Sequence, residues 1–323
     1  MITGYAVADG KIRVLGDVIS EKDAAVWIDM LRPSPEEEKA LEAALTVDMP
    51  TREEMSEIEI SSRLYAENGA VYMTALILSR TDGDDPTIAP ATFVLAGSRL
   101  ITIRYEEPRV FELFAARAQK AQIGCVSAET ILVGLLEAII DRLADVLERA
   151  AQDTERLSRE IFQLGAEAKT KSRDFRRLVV ELGRKGDLGS KIRDSVVTLN
   201  RLFGFLALHI SQSAGDKELK ARLKTLSRDA ASLADHLSYL SQKITFLLDA
   251  TLGMINIEQN QIIKIFSVAA VCFLPPTLIA SVYGMNFEFM PELSSPYGYP
   301  IVIAAMILSA VLPLFYFKRR GWL

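Results

Sequence analysis

The scarcities of this chain narrow the field first. It has two cysteines, Cys125 and Cys272, one in a polar region and one inside an apolar run, so no disulfide framework is expected. Its two histidines, His209 and His236, lie away from the apolar runs, which leaves little from which to build a thiolate or imidazole centre for a transition metal. No Gly-Lys-Ser/Thr phosphate loop is present, and no Ser/His/Asp or metal-ligand set has usable spacing, so neither an ATP-driven machine nor an enzyme is indicated. A net charge of −5 offers no basic footprint for nucleic acid. The start, Met1-Ile2-Thr3-Gly4-Tyr5, is followed by charges without an apolar core segment. It is not a signal peptide, and the residues before about 260 are expected to stay in the cytoplasm.

Two further absences define the second half. From Lys217 there is no proline until Pro275, and the only glycine is Gly253. A run so free of helix breakers predicts one helix of about 65 residues, on the order of 100 Å long. Leu233, Leu237, Leu240, Ile244 and Leu247 form a stripe along it at coiled-coil spacing, which suits either a bundle or a free stalk. Charge is missing from Ile265 to Phe287 and again from Tyr299 to Phe317, although 24% of the chain is charged. Each window is long enough to cross a hydrocarbon core of about 30 Å.

The first part reads as α/β. Short β-type runs are Ile12–Leu15, Val26–Met30, Ile58–Tyr65, Ala70–Leu78, Ala91–Leu95 and Leu100–Tyr105. Asn68-Gly69, Asp82–Pro86 and Gly97-Ser98 supply turns between them, and Ser34-Pro35 with acidic residues behind it marks a helix start. After Pro108 the apolar spacing becomes helical, with breaks expected near Gly186 and Gly189 and at residues 213–216. The fold class is therefore an α+β cytoplasmic domain followed by a long stalk helix and two transmembrane helices. The segments are 1–107 (α/β), 108–216 (helical), 217–287 (long helix, spanning near 265–285), 286–298 (outer loop), 299–317 (second span) and 318–323 (basic terminus).

Lys264 precedes the first span, and Lys318, Arg319 and Arg320 follow the second. The loop between the spans carries Glu288 and Glu292 and no basic residue. Basic flanks are retained on the cytoplasmic side, so both termini are expected inside. Two helices cannot enclose a watery path alone, so any pore would require a closed ring of several chains.

The long helix has a second stripe. Asp249, Gly253, Asn256, Asn260, Ile263, Ser267, Ala270, Leu274, Thr277 and Ser281 follow at steps of three or four. Such a face can line an aqueous path. Equally, Ser and Thr can bond their own helix, and small residues can serve close packing. Pro275-Pro276 frees backbone carbonyls within the span, or simply kinks it. A path lined by neutral oxygens suits a hard cation that keeps its water shell.

At the outer end of the first span stands Tyr283-Gly284-Met285-Asn286-Phe287-Glu288-Phe289-Met290-Pro291-Glu292-Leu293. With Phe273–Ala280 upstream, and Gly298-Tyr299-Pro300 and Tyr316–Leu323 downstream, it strongly resembles the CorA family of Mg2+ transporters. The resemblance covers roughly residues 245–323. It implies a homopentamer in the inner membrane that passes hydrated Mg2+, with Co2+ or Ni2+ as further cargo. Gly284, Met285 and Asn286 would form the entrance, with the Asn286 amide oxygen accepting from the ion's water. Thr277, Asn260 and Asp249 fall where the family lines its pore and inner mouth, and Leu274, Phe266 and Ile263 where it places apolar gates. The family is closed by Mg2+ bound to its cytoplasmic domains, for which Asp82, Asp84, Asp85 and Asp229 are the candidate ligands. Glu53-Glu54 and Glu57-Glu59 are further acidic groups. The competing readings are a Zn2+, Co2+ or Ni2+ transporter of the wider superfamily and a membrane-tethered sensor.

Overall fold

The computed structural model describes residues 1–57, 59–83, 85–120, 124, 127–166, 175–212, 217–286, 290–291 and 295–322. The chain divides into two compact units. One is Met1–Ala166 with Arg176–Leu247, and the other is Leu248–Leu323 with Glu167–Phe175.

The first unit is organised by a seven-stranded sheet. β1 (Ile2–Ala8) and β2 (Lys11–Val14) form a hairpin across Asp9-Gly10, whose φ values of 51° and 72° give the primed turn that matches strand twist. β3 (Trp27–Leu31) follows, and then α1 (Pro35–Leu45), which opens with a reciprocal cap between Ser34 and Glu37. A second such cap, Thr51 with Glu54, starts α2 (Arg52–Ser56). α3 (Ile60–Arg63) leads into β4 (Leu64–Glu67), β5 (Ala70–Ser79), β6 (Thr87–Ala96) and β7 (Arg99–Arg104). Asn68 and Gly69, at φ 49° and 80°, close the β4–β5 hairpin in the same primed manner. The strand order is β2-β1-β3-β7-β6-β5-β4, and only the central β3–β7 pair is parallel.

Both faces of the central strands are covered, so those strands read as apolar runs rather than alternations. Ile28, Met30, Val94, Ile101 and Ile103 share one face with Leu41 of α1 and Met55 of α2. Trp27 and Phe93 point to the other, where α4 (Arg109–Lys120) supplies Phe114 and Phe111 at ring distances of 5.8 and 6.3 Å. On that second face Asp29 is buried. It takes bonds from Arg104 Nη2 (2.6 Å), Arg104 Nε (3.1 Å) and the Thr102 hydroxyl (2.6 Å). Trp27 Nε1 donates in turn to Thr102 Oγ1 at 3.0 Å, and the Arg104 guanidinium lies 4.6 Å from the Phe111 ring centre.

Beyond α4 come α5 (Ala128–Ala166), α6 (Phe175–Gln212), α7 (Lys217–Tyr283) and α8 (Gly298–Arg319). Charged pairs give their directions. Asp153–Lys185 and Glu160–Arg177 run in opposite numerical sense, so α5 and α6 are antiparallel. Glu137–Arg222 and Glu155–Lys243 rise together, with offsets of 85 and 88, so α7 returns parallel to α5. Leu237, Leu240, Ile244 and Leu247 are buried in this layer. The expected breaks at Gly186 and Gly189 do not occur, and α6 is continuous through both. A Cβ at Gly186 would lie 3.9 Å from Ile244, so that glycine sits where α6 and α7 approach. Of the run Ile58–Tyr65, Ile58 lies outside the described residues, α3 occupies Ile60–Arg63, and the strand begins at Leu64.

Candidate ion path and membrane hairpin

α7 runs for 67 residues without interruption, through Pro275 and Pro276, and ends at Tyr283. A proline lacks the N–H that would bond the residue four places earlier, so the carbonyls of Val271 and Cys272 lose their helix partners. Helix formation survives because the flanking residues still close their own bonds. Thr277 caps one neighbouring carbonyl as well, donating its hydroxyl to Phe273 O at 2.7 Å. This hydroxyl therefore bonds its own helix, while its lone pairs remain free to accept.

In the second unit, α7 and α8 are long and apolar enough to cross a membrane, and α8 buries none of its apolar window. Phe273 is 73% exposed, Leu278 66%, Ile301 64% and Leu312 63%. An apolar surface this extensive calls for lipid or neighbouring chains to cover it. The residues that are withdrawn form one face: Val268 and Cys272 are buried, and Pro275, Pro276, Ile279 and Tyr283 are half-buried. α8 offers a matching half-buried face at Val302, Met306, Ser309, Pro313 and Phe317. Cys272 is thus a small packing residue, free of any disulfide. Cys125 lies outside the described residues. Lys264 Nζ sits 5.8 Å from the Trp322 ring, so the start of the first span and the end of the second lie side by side. The two helices are an antiparallel pair.

The polar stripe lies on the other side of α7. At 100° per residue its centre is roughly 150° from the face turned to α8. Asp249, Gly253, Asn256, Asn260, Ser267, Thr277 and Ser281 are all exposed. Ile263 and Leu274 belong to the same stripe, 60% and 66% exposed, whereas Phe266 sits roughly 80° from its centre, about 20° beyond Thr277. Packing onto α8 thus occupies none of these side chains.

At the outer end the helix tightens. Gly284 N donates to Ala280 O at 2.9 Å, and Met285 N to Val282 O at 3.3 Å. A Cβ on Gly284 would stand 3.1 Å from the Ala280 carbonyl, so close passage of the backbone, rather than a left-handed φ, explains the glycine. Asn286 is exposed and not in the left-handed region, so it does not end α7 as a left-handed cap. Glu288 and Glu292 lie outside the described residues. Lys318, Arg319 and Arg320 are exposed at the opposite end.

The acidic candidates differ from one another. Both oxygens of Asp82 are taken, one by Arg109 (2.8 Å) and one by Arg142, and these guanidinium groups hold its carboxyl below the usual range. Asp85 is exposed, 3.9 Å from Lys191 Nζ. Asp84 lies outside the described residues. Asp229 on α7 is exposed along a cleft of about 710 Å³ that also holds Glu137, Asp141 and Asp145 of α5. Burial pushes the Asp141 carboxyl up, and Glu137, Asp145 and finally Asp229 add to the shift. Sequence reasoning missed these α5 carboxylates; their spacing of four along one helix was the available signal. Among the described residues no three His, Cys, Asp or Glu side chains come close enough to hold a metal within one chain.

An α/β domain whose last helix continues into an antiparallel apolar pair, with a neutral polar stripe facing away from that pair, defines an α-helical membrane protein of the two-span kind. The sequence model of the family described as CorA-like Mg2+ transporter protein matches residues 22–319. The chain belongs to that family. It is 36% identical to the magnesium transport protein CorA of Pasteurella multocida over the full length of both chains. To the Escherichia coli K12 protein of the same name it is 37% identical, over 93% of this chain and 92% of the relative. The CorA magnesium transporter of Methanocaldococcus jannaschii superposes with a TM-score of 0.76, at 19% identity, covering 100% of this chain and 99% of that one. This last likeness speaks for the fold alone.

Proposed function

We propose that this chain is a subunit of a ring, of five copies by family resemblance, that conducts hydrated Mg2+ into the cell. The observation that carries this reading is the exposed neutral stripe on α7, turned away from α8. Amide and hydroxyl oxygens there can accept from the water shell of an ion that dehydrates reluctantly. Five such faces round one axis would line a path from Asp249 to Asn286, with Gly284–Asn286 at its mouth and Ile263 and Leu274 as narrow apolar girdles. Phe266, 71% exposed and about 20° beyond Thr277 round the helix, borders the same face. A doubly charged ion moving inward gains about 4.6 kcal/mol per 100 mV, so no chemical fuel is needed and no catalytic centre is invoked. Co2+ and Ni2+ keep similar water shells and belong to the same reading as secondary cargo.

In this proposal both termini lie on the inner side of a bacterial cytoplasmic membrane, and the acidic loop with Glu288 and Glu292 outside, a reading supported by the basic flanks. Control by internal Mg2+ belongs to the proposal too. Of the candidate ligands, Asp229 has the most favourable setting, in the same cleft as Asp141 and Asp145, whereas Glu137 there is already held by Arg222 through both oxygens. Asp82 is the least suited, since two arginines already neutralise it.

The test is Mg2+ uptake by liposomes containing the protein and an internal indicator, under an inside-negative potential. Asn260→Cys and Thr277→Cys should lose most of the flux on treatment with a charged, impermeant thiol reagent, while Val268→Cys, on the α8 face, should not. Block at Val268→Cys alone would put the path on the wrong side of the helix, and no flux in any variant would remove the channel.

A further inference from the structure

Lys264 on α7 and Lys318, Arg319 and Arg320 at the end of α8 gather at one end of the hairpin. All four are exposed, and none forms an ion pair with a carboxylate among the described residues. Three of them lie against aromatic rings instead. Lys264 Nζ is 5.8 Å from the Trp322 ring centre, the Arg319 guanidinium 4.8 Å from Phe315, and that of Arg320 5.4 Å from Tyr316. A ring face holds a cation in place without cancelling its charge.

The backbone builds this arrangement. Gly321, at φ +69°, turns the chain back on itself at the end of α8. Its N–H donates to Lys318 O at 3.2 Å, and Trp322 N–H donates to Phe317 O at 3.1 Å. The Trp322 ring stacks on Phe317 at 5.2 Å, the apolar contact that completes this kind of helix ending. The latch folds Trp322 onto Lys264 instead of letting it continue along the helix axis. Four uncancelled positive charges then border the apolar flank of the hairpin, with an indole between them.

We propose that Lys264, Arg320 and the Trp322 indole, flanked by Lys318 and Arg319, form a headgroup site for an anionic phospholipid. The phosphodiester would take the cations, and the acyl chains would run down the exposed apolar surface of α8. A zwitterionic headgroup would bring its own ammonium into the same cationic field. A free phosphate would lack the chains that retain the lipid. This inference rests on the membrane-hairpin reading.

The experiment uses the full chain in bilayers of phosphatidylcholine with a minor fraction of phosphatidylglycerol, one or the other brominated near the headgroup. The chain has two tryptophans, and Trp27 is fully buried in the first unit, so quenching reports Trp322. Subtraction of Trp322→Phe removes the Trp27 background. Brominated phosphatidylglycerol should quench Trp322 at mole fractions where brominated phosphatidylcholine does not. Lys264→Gln and Arg320→Gln should each weaken that preference about 5-fold, and Lys264→Arg and Arg320→Lys should keep it even if a glutamine variant fails to fold. Excess soluble glycerophosphate should not compete.

Equal quenching by both lipids in wild type would overturn the site while leaving the hairpin in the membrane. Competition by glycerophosphate would make it a free-anion site instead. Quenching by neither lipid would overturn the membrane hairpin itself.

Discussion

Asp29→Asn tests a buried, triply bonded carboxylate of the first unit. Asp29 and Arg104 are 9% and 10% exposed at the side chain, and Asp29 takes three bonds, two of them from the guanidinium. The substitution keeps the shape and one acceptor oxygen but leaves the Arg104 charge buried without a counter-charge. Losing one partner of a buried pair costs about 3–5 kcal/mol, and the retained oxygen places this case near 3 kcal/mol. For a unit of this size that corresponds to a fall in Tm of about 6–12 °C. Thermal unfolding of the full chain in detergent, followed by Trp27 emission in a Trp322→Phe background, reads it locally, because the Trp27 indole joins the network through Thr102. Adding Arg104→Met removes the stranded charge, so the double variant should recover at least about 2 kcal/mol relative to the summed single losses. A fall below about 2 °C for Asp29→Asn, or strict additivity in the double variant, would refute the reasoning.

The remaining expectations concern carboxylates. The Asp141 carboxyl is raised, so its stabilising contribution is present below the ordinary carboxylate range and lost as pH rises through the folded value. Asp141→Asn should therefore raise Tm at neutral pH, by no more than about 1 kcal/mol of stability since the group is largely solvated; a loss would show that a favourable partner had been missed. Asp82 has the opposite sign. Its carboxyl is lowered by the Arg109 and Arg142 bonds, so its contribution is present above the ordinary value of 3.8 and disappears as pH falls through the lowered one. Melting curves of wild type and Asp82→Asn should differ at neutral pH and converge in strong acid, and a constant gap would contradict the assignment.

The hairpin, the long helix and the polar stripe were legible because each depends on local pattern: absent charge, absent breakers, and a repeat of three or four. The turn at Asn68-Gly69 and the Ser34 cap were legible for the same reason. β1 was overlooked although Asp9-Gly10 marks its turn, since its small residues give a weak apolar alternation. Ile58–Tyr65 misled because its described residues Ile60–Arg63 form a short helix before the strand. Gly186 and Gly189 misled because tertiary packing carries α6 through residues that would weaken an isolated helix. The Asp29–Arg104 pair joins residues 75 apart across a parallel strand pair, a pairing that no local spacing announces. Of the candidate site, the stripe and the motif around Asn286 came from the sequence. The surroundings of Asp82 and Asp229 depend on how α4, α5 and α7 pack, and needed the structure.

The most direct test of the central claim is voltage-driven Mg2+ uptake into liposomes by wild type and Asn286→Ala, reconstituted at matched amounts with matched melting behaviour. If the Asn286 amides receive the hydrated ion at the mouth of the path, wild type should carry Mg2+ and Asn286→Ala should lose nearly all of that flux while remaining assembled. Equal uptake by the two would contradict a pore that opens at Gly284-Met285-Asn286.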